Sequence, residues 1–70
     1  MQYKVSFLDN NGNEFLGTTE HFVTDGRYNF DTIYDIAVQT KNMSLKSDSI
    51  TGYVIRKNSF LGNVIKKVEF

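Results

Sequence analysis

The sequence predicts an α+β domain of order ββαββ: a four-stranded, mostly antiparallel sheet with one helix packed on one face. Three observations predict it. Apolar residues alternate with polar ones at Tyr3, Val5 and Phe7, the period of a half-buried strand. The spacing then becomes helical at Phe30, Ile33, Tyr34 and Ala37. Two further strand-like runs, "ITGYVIRK" and "FLGNVIKKVEF", follow the helix. One apolar sheet face and one apolar helix stripe bury each other most simply as two layers. A small curled β-barrel with one helix is the alternative.

The first strand ends in "DNNGN". Asp9-Asn10-Asn11 suits a type I turn, and Gly12 suits the left-handed residue of a bulged three-residue hairpin loop. That loop sets Phe7 opposite Phe15, Val5 opposite Gly17 and Tyr3 opposite Thr19. The second strand runs on to about Val23, where "TDGR" stops it.

Residues 29–42 read as the helix. Asn29 is a good N-cap and Asp31 complements the helix dipole in the first turn. Phe30, Ile33, Tyr34 and Ala37 share one side at about 100° per residue. Ile36 and Val38 flank them, and Ala37 permits close approach to a sheet. "MSLKSDS" is a loop. If Asn58-Ser59 lies in a three-residue turn, Val54 meets Val64, Ile50 meets Val68, and Tyr53 meets Ile65 on the opposite face. In that register the helix covers Tyr3, Val5, Phe7, Phe15, Val54, Val64 and Val68. Leu8, Leu16, Phe22, Tyr53, Ile55 and Ile65 are left on a face that should be polar.

Seventy residues make one domain, spanning residues 1–70. Such a domain buries only about 60% of its unfolded surface and gains from external support. There is no cysteine and a single histidine, His21. Disulfides and thiolate zinc sites are therefore excluded, and an imidazole-rich metal site would need a second chain. No long apolar run or secretory leader pattern is present, so the expected compartment is the cytoplasm, with no membrane role. The net charge is zero, yet residues 1–35 carry six acidic and two basic groups and residues 36–70 the reverse. Such asymmetry marks either a nucleic-acid face or head-to-tail pairing, unless folding interleaves the halves.

Catalytic and metal motifs fail on inspection. Asp9, Asn11, Asn13 and Glu20 fall at positions 1, 3, 5 and 12 of a calcium loop, but its required glycine position holds Glu14. His21 stands in a strand, with no nucleophile elbow in the chain. Asp31 and Asp35, one helical turn apart, suit a solvated helix face. The five glycines form no phosphate-binding loop. The chain is read as a non-enzyme without cofactor or metal.

Two binding readings remain. "NEFLGT" and "NSFLGN" place Phe-Leu beside turn residues, the second in an expected loop. Phe60, Leu61, Tyr53, Ile65, Leu16 and Phe22 are the surplus apolar residues that would make a protein interface, with a partner protein or in a homodimer. Small accessory proteins of phages and mobile elements act by binding a host protein, an analogy of size and composition. The alternative is single-stranded nucleic acid held by Arg56, Lys57, Lys66 and Lys67 with nearby aromatics. A balanced overall charge makes it the weaker reading.

Overall fold

In the computed structural model, which describes residues 2–15, 21–57 and 62–70, the elements follow the expected order. They are β1 (Gln2–Leu8), β2 (His21–Asp25), α1 (Phe30–Met43), a 3-10 turn (Ser47–Ser49), β3 (Gly52–Lys57) and β4 (Val64–Glu69). The four strands form one antiparallel sheet of order β2-β1-β3-β4. It is not closed, so the barrel alternative falls, and β2 and β4 are its edges.

Local chemistry accounts for the turns and the helix. Gly12 takes φ 79°, the left-handed conformation expected of it. The Asp9 carboxylate accepts from the N–H groups of Asn11 (2.8 Å) and Asn13 (3.0 Å), and this fixes the hairpin turn. Asn29 caps α1 by accepting from the Thr32 N–H at 2.7 Å. At the other end Lys41 Nζ donates to Ser47 Oγ at 3.3 Å, joining the helix to the 3-10 turn.

Ile33 and Ala37 of α1 are fully buried against Val5, Phe7, Ile50, Tyr53 and Ile55. Tyr3, Phe15, Phe22 and Val68 pack around that cluster. Burying a side chain of the Phe, Ile or Val class contributes about 1.5–3 kcal/mol, so this single core supplies most of the drive to fold.

The strand registers differ from those expected, and the difference moves side chains between faces. Near the first turn the expected pairing holds: Leu8 bridges Glu14, and the Phe15 N–H donates to the Phe7 carbonyl at 3.1 Å. In β2, however, Val5 faces Phe22 and Tyr3 faces Thr24, not Gly17 and Thr19. The offset is an odd number of residues, so Phe22 turns to the helix face. Gly17 lies outside the described residues.

The second pair is offset likewise. Tyr53 faces Val68, not Ile65, and Val54 faces Lys67, not Val64. Tyr53 and Ile55 therefore join Val5 and Phe7 under the helix, and Val54 points away from it. A β-bulge between Ile55 and Arg56 changes the register before Val64, which faces Arg56. The Lys57 N–H donates to the Asn63 carbonyl at 3.2 Å, so the connection is longer than three residues.

Candidate interaction surface

The surface of interest is built by β4 and the flank of α1. Among the described residues β4 has one neighbour, β3, and its other side is a sheet edge. The Phe70 N–H donates to the Thr51 carbonyl at 3.0 Å, in register with Tyr53 opposite Val68. Hydrogen-bonded pairs alternate along an antiparallel ladder. The N–H and C=O groups of Lys66, Val68 and Phe70 thus turn inward to β3, and those of Lys67 and Glu69 turn outward.

Side chains alternate in the same way. Lys66, Val68 and Phe70 stand on the helix face, and Lys67 and Glu69 on the other. On the helix face an aromatic row lies between α1 and β4. Phe70 contacts the rings of Tyr53 (5.5 Å between centroids), Tyr34 (6.1 Å) and Phe7 (6.3 Å). Lys66 Nζ sits 5.0 Å from the Phe30 ring centre, and Lys41 Nζ 5.7 Å from that of Phe70. Phe30, Tyr34 and Phe70 each keep over a third of their surface in solvent.

Of the apolar residues singled out from the sequence, the three that are described do not share one open face. Tyr53 is 1% exposed and belongs to the core, not to an open face. Phe22 packs against the core at 6.1 Å from Phe7. Ile65, 39% exposed, stands on β4 at the bulge beside Val64, 48% exposed. Leu16, Phe60 and Leu61 lie outside the described residues. Val64 and the Phe70 row were not anticipated. Carrying the alternation from Val68 one step further, to Phe70, would have found the ring.

The basic residues do not form one face. Arg56 is engaged by Glu14 through two hydrogen bonds, Nε to Oε1 at 3.0 Å and Nη2 to Oε2 at 2.9 Å, and donates to the Gly62 carbonyl at 2.8 Å. The Glu14 bond pushes the Arg56 guanidinium still further above its ordinary value. Lys66 is on the helix face, Lys67 on the other, and Lys57 is exposed opposite Tyr3.

Ser6 faces His21 across β1 and β2, and its buried hydroxyl has no hydrogen-bond partner among the described residues. Among the described residues no three of His, Cys, Asp and Glu gather as a metal site. Asp9, the first residue of the rejected calcium loop, caps its own turn. No described helix is long and apolar enough to cross a membrane. Comparison with protein-family models, curated proteins and solved structures gives no match.

Proposed function

We propose that this protein is a small non-enzymatic interaction module that receives an extended segment of another protein chain along its β4 edge. One observation carries the reading: β4 is a six-residue edge strand with the N–H and C=O groups of Lys67 and Glu69 turned outward, and Val64 and Ile65 exposed towards its start. Strand addition to such an edge supplies main-chain hydrogen bonds, and alternate side chains select the segment. An accessory role in binding a host protein would be one use of this edge.

The division of the basic residues between two faces supports this reading over single-strand binding, which needs one cationic groove lined with aromatics. Engagement of Arg56 by Glu14 weighs the same way.

The test is Lys67→Pro. The Lys67 N–H points outward, so proline removes a donor from the edge without removing a ladder bond to β3. A partner recovered from the native host by the unaltered protein should be lost by the variant, with the variant still folded by circular dichroism. Equal recovery by both proteins overturns the edge as the site. Binding of single-stranded DNA that weakens steeply with salt would replace this reading with the nucleic-acid one.

A further inference from the structure

We infer that the segment β4 receives is the β4 strand of a second copy of this chain, in a single antiparallel register centred on Val68. The inference rests on the edge reading above and names its partner.

The argument comes from which residues can face each other. Two copies of one edge strand pair antiparallel about a two-fold axis normal to the sheet. Directly opposed residues then lie on the same face, so Lys66, Val68 and Phe70 can oppose only one another, as can Lys67 and Glu69. Within Lys66–Phe70 this leaves few centres. A centre on Lys66 opposes it to Lys66 of the second copy, and a centre on Lys67 does the same for Lys67. A centre on Glu69 opposes two carboxylates, and a centre on Phe70 gives Lys66, Lys67 and Glu69 no opposite residue within this stretch. Like charges directly opposite are destabilising.

A centre on Val68 removes every such conflict. Val68 meets Val68 of the second copy at the axis. Lys67 of each copy meets Glu69 of the other, giving two ion pairs related by symmetry. Lys66 of each copy meets Phe70 of the other, with a cation beside an aromatic face as already occurs at Phe30. The hydrogen bonding agrees independently. Lys67 and Glu69 carry the outward N–H and C=O groups, and this register brings them into hydrogen-bonded pairs. The lysines that discourage indiscriminate edge pairing thus also select one register.

The product is one eight-stranded sheet with both helices on the same side. A contact of five residues per strand is small, so the dimer belongs to the weak, concentration-dependent class.

Sedimentation at low ionic strength over a wide concentration range tests the inference with Lys67→Glu, Glu69→Lys and the double variant carrying both. Each single change opposes like charges twice and should weaken the dimer about tenfold or more. The double variant should recover dimerisation. So should a one-to-one mixture of the two single variants, because each then supplies the charge the other lacks. Amide exchange of the unaltered protein gives a readout without mutation: the Lys67 and Glu69 N–H groups should slow as concentration rises, with no such change at Lys66 and Val68. A strict monomer, open-ended oligomers, unimpaired single variants or an unrescued mixture would each overturn the self-pairing. Partner capture lost on Lys67→Pro in a strictly monomeric protein would leave the edge reading standing and remove only the second copy as its occupant.

Discussion

Arg56 holds Glu14 in a two-pronged, near-parallel pair across the sheet face opposite α1, linking β3 to the first hairpin. The side chains are 22% and 33% exposed, sheltered more than a typical surface pair. A planar guanidinium matches a carboxylate at both oxygens, as an ammonium cannot. A double-mutant cycle on Arg56→Ala and Glu14→Ala should give a coupling of about 1 kcal/mol. Arg56→Lys should recover less than half of it. A coupling indistinguishable from zero in denaturant melts would show the pair to be ornamental.

Gly52 is fixed by its neighbour strand. A Cβ there would collide with the Val68 carbonyl and press on the Glu69 Cα at 3.2 Å. Both contacts are backbone, which cannot move aside as a side chain can. Gly52→Ala should therefore cost about 1–3 kcal/mol, the usual range for overpacking. A neutral result in urea denaturation would mean that β4 yields easily.

Phe70 closes one side of the core while staying 39% exposed. Full burial of a phenylalanine would make truncation cost about 3–5 kcal/mol. Its contacts with Tyr53, Tyr34 and Phe7 are one-sided, so Phe70→Ala should cost about 1–2 kcal/mol. Thermal melts at concentrations too low for self-association measure it, and a change within experimental error would place the ring outside the folding unit.

Alkaline pH should reveal Tyr53. Burial, and secondarily Tyr34, pushes its hydroxyl above the ordinary phenol value. The folded state thus keeps this proton to higher pH than the unfolded chain. The stability involved is fully present below the unfolded value of about 10 and is lost as pH rises through the folded value. Lys4 acts with the opposite sign: burial pushes its ammonium down, so its cost eases as pH rises. Comparing Tyr53→Phe with the unaltered protein isolates the tyrosine. The variant's melting temperature should fall less steeply above about pH 10, and parallel curves would refute the assignment.

The helix was legible in the sequence because its signals are local. Asn29, Asp31 and the spacing of Phe30, Ile33 and Ala37 act within a few residues of one another. Gly12 and Asp9 likewise declared their turn. Register was not legible, because it depends on the length of segments that carry no periodic signal. Tyr3 meets Thr24 where a short loop would bring Thr19, and Tyr53 meets Val68 where a short loop would bring Ile65. Each offset is odd, and an odd offset exchanges the faces. The sequence held one warning. The expected registers left Phe22, Tyr53 and Ile55 on a face that should have been polar. A surplus of that kind is what a misplaced register produces, and the structure returns all three to the core. The candidate edge was hidden for the same reason: neighbours in a sheet are set by pairing, and pairing was the part not written locally.

The sheet order has a consequence for how the chain folds. Its two central strands, β1 and β3, come from nearly opposite ends of the sequence, with Tyr3 opposite Lys57. Neither hairpin can find a finished core until that distant pair forms, so loop-closure entropy is met before most of the gain arrives. Folding should be slower than its small size suggests and concerted rather than hairpin by hairpin. During synthesis β1 must wait for β3 to leave the ribosome before it has its second neighbour. Until then it exposes a Val5- and Phe7-bearing strand that a chaperone could shield.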